Sequence, residues 1–187
     1  AVLFQFPESF HYTKDNRIYL AKLIAEFEGF PVMVEFRHKE WIRDSVFAGL
    51  EKRKAGIVFC DMPQLKNLPD GTVMGTPFIG ENAYIRLHGR NEGAWYAHAP
   101  KVQTSITSAH ANGAKATYTA RETPNGSDRY CYDYSDEELD QFIPIVKAAG
   151  REGKKVQVYF NNHPNGSGAR NAISLKKMIE KDESGEK

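Results

Sequence analysis

The sequence is poor in several features that would point to a particular environment or partner. Only two of its 187 residues are cysteines, Cys60 and Cys131, and they form neither a disulfide framework nor a metal-binding spacing. Acidic and basic residues nearly balance, 24 against 25, so no global charge attracts nucleic acid or an anionic membrane. No apolar run approaches the length of a membrane span, and no basic and apolar leader precedes the first strand-like segment. These features predict a soluble protein of a reducing, cytoplasmic environment, with no membrane partner.

The size and the beginning of the chain determine the domain prediction. With 41% hydrophobic and 12% aromatic residues, a chain of 187 residues can bury one ordinary core, so we predict a single domain over residues 1–187. The sequence begins directly with strand-like residues, AVLFQFP, without an initiator methionine or a polar lead-in. We therefore expect it to be part of a longer chain.

Five strand-like segments alternate with helical ones: VLFQF, VMVEF, GIVFCD, AYIRLHGR and KVQVYF. Apolar residues from Leu20 to Phe27 recur with helical spacing between the first two strands. A second helix is predicted over residues 43–55, with Gly56 as its stop signal. This repetition predicts βα units and a parallel sheet, because parallel neighbours need a long crossover.

Two further helices are predicted in the second half of the chain. The capping box of Ser135 and Glu138 starts the first of them, which we expect to bend at Pro144. The second is predicted from about Ala169, and residues 181–187 are predicted as a frayed tail.

Alternate residues of the five strands differ in polarity. One set is apolar and the other polar, which favours a barrel over a doubly wound sheet, because barrel strands share one central face. The predicted helix-facing set is Phe4, Phe6, Val34, Phe36, Val58, Cys60, Ile85, Leu87, Val158 and Phe160, and the predicted inward set is Gln5, Glu35, Arg37, Asp61, Arg86, His88, Tyr159 and Asn161.

Several motifs resemble successive signatures of the domain-of-unknown-function 72 (YecE-like) family: LFQFPESF, VEFRHKEW, CDMP, AYIRLHGR, YDYSDEEL and YFNNHPNGSGARNA. The resemblance implies an α/β fold of the TIM (β/α)8-barrel type without an established activity. It matches this chain to strands four to eight, about five of the eight βα units. We therefore expect a missing N-terminal segment, or a second chain, to complete the barrel beside VLFQF. Residues 97–128 are longer than the resemblance implies and are predicted as an insertion or a lid.

The charged faces of VEFRH and AYIRLHGR carry the main candidate site. Glu35 and Arg86 are predicted to meet as an inward ion pair, with Arg37 and His88 one layer nearer the C-terminal mouth of the barrel. For the pair alone, a structural scaffold and a functional site are equal alternatives, because buried ion pairs occur in both. The histidines at positions 11, 98 and 110 are predicted to lie on the surface or in loops, and the tyrosines at 130, 132 and 134 to serve in packing.

Polar residues at the other strand ends extend this predicted site. Three arginines favour a phosphate or a carboxylate, and the loop NNHPNGSGARNA offers backbone amides where barrels often bind phosphate. The predicted catalytic residues are Glu35, Asp61, His88 and His163, and the predicted substrate-binding residues are Gln5, Arg37, Arg86, Arg90, Asn161, Asn162, Gly166 and Gly168.

The expected ligand is small and anionic. The same arginines disfavour a cation, so we assign no metal ligand and no cofactor, with a divalent metal as the minority interpretation. The predicted function is an enzyme that acts on a phosphate-containing or other anionic substrate, such as a phosphoester hydrolase or a sugar-phosphate enzyme. The alternative is a non-catalytic nucleic-acid or nucleotide-binding module, against which the balanced charge counts.

Overall fold

Five strands form one sheet in a computed structural model of the chain, which describes residues 1–70, 78–96, 128–163 and 165–184. The strands are β1 (Val2–Gln5), β2 (Val32–Glu35), β3 (Ala55–Asp61), β4 (Asn82–Leu87) and β5 (Lys155–Phe160). The helices are α1 (Lys14–Glu26), α2 (Asp44–Glu51), α3 (Glu92–Trp95), α4 (Asp136–Asp140), α5 (Ile143–Arg151) and α6 (Ser167–Ser184). The predicted insertion or lid over residues 97–128 lies outside the described residues, except for Asp128.

All neighbouring strands pair in parallel, in the order β1-β2-β3-β4-β5. The predicted parallel sheet is therefore confirmed. Within the described part of the chain, β1 pairs only with β2 and β5 only with β4, so this sheet is open at both edges. The fold is consistent with part of a TIM-like α/β structure.

One face of the sheet packs against the helices. Val34 and Phe36 lie in a core with residues of α1 and α2, and Ile85 and Leu87 lie in a second core with residues of α4, α5 and α6. Burial of these side chains removes apolar surface from water and holds the helices on the sheet. The predicted helix-facing residues of β1, β2, β4 and β5 are thereby confirmed.

The prediction for β3 was wrong. Val58 and Cys60 pack on the opposite face, with Met33 and Tyr84, and Cys60 stands beside Arg86 in the register of the sheet. Asp61 is therefore on the helix-facing side, at the end of the strand. Every residue of AGIVFCD is buried, so both faces of β3 carry mainly apolar side chains. The sequence therefore has no alternation of polar and apolar residues that would show which side chains face the helices.

The end of α2 also differs from the prediction. The helix ends at Glu51 rather than at Ala55, and Ala55 and Gly56 already belong to β3. A Cβ atom at Gly56 would lie 2.5 Å from Met33 Sδ and 3.1 Å from the Ile79 carbonyl oxygen, so a larger residue would have to displace the buried Met33 side chain. Gly56 is a packing residue of the strand and not a helix stop.

The predicted capping box is present. Ser135 Oγ accepts the Glu138 N–H at 3.3 Å, and Glu138 Oε2 accepts the Ser135 N–H at 2.9 Å. The expected bend is a break between α4 and α5, because Pro144 stands in the first turn of α5. Helix α6 begins at Ser167 and includes residues 181–184, which were predicted as part of a frayed tail.

Candidate functional site

The polar face of the sheet brings together seven side chains near the C-terminal ends of its strands. We call this group the inner-face cluster. It consists of Gln5, Glu35, Arg37, Cys60, Arg86, His88 and Asn161.

Glu35 is the centre of the inner-face cluster and is fully buried. Arg37 Nε donates to Glu35 Oε1 at 2.6 Å, and Arg86 Nη1 donates to Glu35 Oε2 at 2.5 Å. The predicted inward pair of Glu35 and Arg86 is thus present. Cys60 lies on the strand between them, and its short side chain leaves space for Arg86 to reach across from β4 to β2.

Arg86 also connects the two edges of the sheet. Its Nη1 donates to Gln5 Oε1 at 2.8 Å, and its Nε donates to Asn161 Oδ1 at 3.2 Å. One guanidinium therefore contacts β1, β2 and the residue after β5, which fixes its position in the middle of the polar face.

The inner-face cluster carries a positive charge at neutral pH. Burial raises the pKa of Glu35, but the hydrogen bond with His88 and the charges of Arg37 and Arg86 outweigh it and bring the pKa to about 2. Burial lowers the pKa of His88 to about 4, although Glu35 opposes that change. Burial also raises the pKa of the Cys60 thiol. Two arginines, one carboxylate, a neutral imidazole and a neutral thiol give a charge of +1.

The two ring nitrogens of His88 differ in their surroundings. Nε2 lies 3.2 Å from Arg37 Nη2 and 3.4 Å from Glu35 Oε1. Nδ1 is buried and has no hydrogen-bond partner among the described residues. A buried nitrogen of this kind is costly unless a ligand or water satisfies it, which makes Nδ1 a candidate contact for a bound molecule.

Aromatic side chains border this arrangement. The Arg37 guanidinium lies 5.9 Å from the Trp95 ring, and the Tyr130 ring lies 5.8 Å from that of His88. Trp95 is buried, and both aromatic residues follow the polar strand ends in the fold. They restrict the space beside the arginine and the imidazole.

Asp61 and Arg90 form a second and separate group with Tyr132, Tyr134 and Glu138, which we call the Asp61–Arg90 cluster. Arg90 Nε and Nη2 donate to Asp61 at 2.8–3.0 Å, and Arg90 Nη1 lies 3.4 Å from Glu138 Oε1. All three guanidinium nitrogens of Arg90 therefore face carboxylates.

Two tyrosines complete the Asp61–Arg90 cluster. Tyr134 donates its hydroxyl to Asp61 Oδ2 at 2.6 Å and accepts the Gly89 N–H at 2.8 Å. Tyr132 donates to Glu138 Oε1 at 2.6 Å. Burial and the Asp61 charge raise the pKa of Tyr134, so its hydroxyl keeps its proton. These hydrogen bonds were not predicted from the sequence. The motif YDYSDEEL indicated only that this region resembles the family.

The last predicted residues lie in or beside the turn before α6. Asn162 is buried, and its Nδ2 donates to Asn171 Oδ1 at 2.7 Å. A Cβ atom at Gly168 would be 2.7 Å from the Asn162 carbonyl oxygen, and Gly166 has a φ of 74°. His163 is half-buried and pairs with Cys131 through its main chain. No hydrogen bond joins Arg90 to His163 or to this turn among the described residues.

The inner-face cluster also contains a group of metal-binding types. Ligand atoms of Glu35, Cys60 and His88 lie within 4.8 Å of one another. However, Arg37 and Arg86 both bind the Glu35 carboxylate, and their fixed charges would repel a cation. This geometry favours an anion over a metal at the cluster.

The fold and the site together define an α/β protein that carries a buried polar cluster at the C-terminal ends of parallel strands. The chain belongs to the family described as protein of unknown function DUF72, whose model matches residues 1–186. The resemblance seen in the motifs is thereby confirmed.

The relatives that the chain matches are longer than the chain itself. UPF0759 protein YunF of Bacillus subtilis is 28% identical over 189 residues, which cover 98% of the chain and 59% of that protein. A DUF72 family protein from Thermotoga maritima is 32% identical with a TM-score of 0.73, covering 95% of the chain and 56% of that structure. One from Enterococcus faecalis shares the fold at 24% identity and a TM-score of 0.72, covering 96% and 61%. The chain thus spans about three fifths of these proteins.

Among the helices in the described residues, none is both long and apolar enough to cross a membrane.

Proposed function

We propose that the inner-face cluster binds the anionic group of a small ligand, a phosphate or a carboxylate, and that the protein is an enzyme acting on that ligand. The observation that carries this proposal is the buried charge of +1 from Arg37, Arg86 and Glu35. An excess charge away from water is costly, and an anion that enters the cluster would neutralise it.

The guanidinium geometry supports the proposal. In the hydrogen bonds between described residues, Arg37 uses Nε and Nη2, and Arg86 uses Nε and Nη1. One terminal nitrogen of each arginine is then available to a ligand oxygen. Charged hydrogen bonds from arginine suit phosphate and carboxylate oxygens.

His88 would supply the proton transfer. Arg37 Nη2 can only donate in its 3.2 Å contact with His88 Nε2, so the neutral ring carries its proton on Nδ1 and can donate it to a ligand oxygen or a leaving group. Glu35 accepts a hydrogen bond from Arg37 Nε and so holds that arginine against the imidazole. Phosphoester hydrolysis and proton transfer on a sugar phosphate are the reaction classes that this arrangement suits.

The deep position of the arginines favours a small ligand over a polymer. The side chains of Arg37 and Arg86 are only 8% and 12% exposed, so a nucleic acid duplex could not bring its backbone to them. A nucleotide could do so through its phosphate. The nucleic-acid alternative has no comparable support in the described residues.

Calorimetric titration of the intact protein with inorganic phosphate and a nucleoside monophosphate tests the binding site. Arg86→Gln should weaken binding about 10- to 150-fold, the equivalent of one charged hydrogen bond. Glu35→Gln raises the formal charge of the cluster from +1 to +2 and should tighten binding. Arg90→Gln should leave the affinity unchanged, since Asp61 and Glu138 already hold that guanidinium.

Absence of binding by the wild type at millimolar ligand would contradict the proposal, as would an affinity that depends on Arg90 and not on Arg86. Turnover is tested separately with a chromogenic phosphate monoester and a phosphodiester. His88→Gln should abolish turnover while phosphate still binds. Phosphate binding without turnover of either compound would support a binding module instead.

A further inference from the structure

A second group of titratable side chains lies on the loops that follow β1 and β2. His11 Nδ1 is 3.3 Å from Glu40 Oε2, and His38 Nδ1 is 3.7 Å from the same oxygen. One ligand atom from each residue falls within 4.8 Å of the other two. We propose that His11, His38 and Glu40 form a binding site for a divalent transition-metal ion of the zinc type.

The separations fit a tetrahedral ion. Zinc binds imidazole nitrogen at about 2.0–2.1 Å and carboxylate oxygen at about 2.0–2.2 Å, which places neighbouring ligand atoms about 3.3–3.5 Å apart. The distances from Glu40 Oε2 to the two histidine nitrogens, 3.3 and 3.7 Å, are close to that separation. Small side-chain movements would therefore complete the geometry.

The electrostatic surroundings of Glu40 differ from those of Glu35. Its Oε2 accepts the Tyr12 N–H at 3.1 Å, and no arginine forms an ion pair with its carboxylate among the described residues. Arg43, three residues further along the chain, donates instead to the main-chain oxygen of Glu40 at 2.6 Å. The Glu40 carboxylate can therefore bind a cation directly. Glu35 could do so only if its ion pairs with Arg37 and Arg86 were broken.

The two loops are held together without an ion. Trp41 Nε1 joins the two loops by donating to the Phe10 carbonyl at 2.6 Å, and Asn16 Nδ2 of α1 holds the His11 carbonyl at 2.8 Å. The rings of His11 and His38 lie 4.6 Å apart. The site is thus largely formed in advance, which reduces the entropy that an ion must overcome on binding.

His38 is the buried ligand of the three. Its side chain is 6% exposed, and its Nδ1 accepts the Glu40 N–H at 3.2 Å. An ion at Nδ1 would replace that hydrogen bond. Such a site has three protein ligands and an open fourth position, which in zinc enzymes holds water or a substrate oxygen. The inference does not depend on anion binding at the inner-face cluster.

Titration of the intact, metal-free protein with Zn²⁺ tests the site. The wild type should bind one ion, and His11→Ala and Glu40→Gln should each weaken binding by more than about 100-fold, since even outer-shell residues contribute about 10- to 100-fold. Both residues are exposed, at 55% and 43%, so their replacement should not disturb the fold. Co²⁺ should give the intense visible bands of a tetrahedral site in the wild type and not in these variants.

Glu28→Gln is the matched control, because it removes the same charge from an exposed position elsewhere and should keep the wild-type affinity. Absence of Zn²⁺ binding at micromolar concentration would overturn the proposal. Equal affinity in wild type, His11→Ala and Glu40→Gln would also overturn it. If only Glu35→Gln abolished binding, the ion would belong to Glu35, Cys60 and His88, and the proposed site would be wrong.

Discussion

The inner-face cluster and the Asp61–Arg90 cluster contain similar residue types with opposite balances of charge. In the first, Arg37 and Arg86 share the single carboxylate of Glu35; in the second, Arg90 alone faces the carboxylates of Asp61 and Glu138. The Asp61–Arg90 cluster therefore satisfies its arginine within the protein and holds strand ends and α4 together. The inner-face cluster retains a positive charge and, within the part of the chain that the structure describes, a His88 nitrogen without a hydrogen-bond partner, which suits a ligand.

The largest effect is expected when the Asp61–Arg90 cluster loses its central carboxylate. Asp61→Ala should lower the free energy of unfolding by about 3–5 kcal/mol, because it leaves Arg90 Nε and Nη2 and the Tyr134 O–H without their acceptor. Arg90 is 25% exposed, so a value near the lower end is expected. Urea denaturation of Asp61→Ala beside Asp140→Ala, an exposed control, measures the difference.

Phosphate binding by the folded Asp61→Ala protein with the wild-type affinity would show that the two clusters act separately. A loss below about 1 kcal/mol, the range of surface ion pairs, would show that the Asp61–Arg90 cluster is not structural. A loss of phosphate affinity in the folded variant would join the two clusters into one site.

A smaller effect is expected from Tyr134→Phe. This change removes one hydroxyl that donates to Asp61 and accepts from Gly89, so the free energy of unfolding should fall by about 1–3 kcal/mol. Tyr19→Phe is the matched control, since Tyr19 is 54% exposed and should change stability by less than about 0.5 kcal/mol. Equal denaturation midpoints for the two variants would contradict a structural role for the Tyr134 hydroxyl.

Acidification should weaken the fold through the inner-face cluster. The pKa of His88 is lowered from 6.5 to about 4 in the folded protein. Between these two pH values the unfolded chain binds more protons than the folded protein, so the free energy of unfolding decreases as the pH is lowered. We expect a loss of about 1 kcal/mol between pH 7 and pH 5.5 from this group. Glu35, with its pKa lowered from 4.5 to about 2, continues the loss at lower pH.

Denaturation of wild type and His88→Gln at several pH values measures this contribution. As the pH falls from 7 to 5.5, the unfolding free energy of the wild type should decrease relative to that of His88→Gln. A constant difference would mean that His88 titrates normally, and the cluster would then gain charge near neutral pH.

The sequence predicted the inner face well where polarity alternates. In VEFRH and AYIRLHGR the alternate residues differ strongly, so strand parity alone placed Glu35, Arg37, Arg86 and His88 on one face. In AGIVFCD both faces are apolar, and the position of Asp61 depended on pairing with β4, which is not visible in the segment itself.

Contacts between distant residues were the other limit. Tyr134 is 73 residues from Asp61, and Glu138 is 48 residues from Arg90, so no local pattern linked them. The capping box was predictable because its two members are three residues apart. The group of His11, His38 and Glu40 was not recognised, since its residues come from two loops and have no spacing typical of a metal motif.

The position of a bound anion tests most directly whether the inner-face cluster is the binding site. Crystals of the protein soaked with tungstate, an anomalous scatterer that resembles phosphate, would locate it. We predict an anomalous peak between Arg37 and Arg86, within reach of His88 Nδ1. A peak at Arg90, His163 and the turn of Gly166 and Gly168, with none at the inner-face cluster, would contradict the central claim.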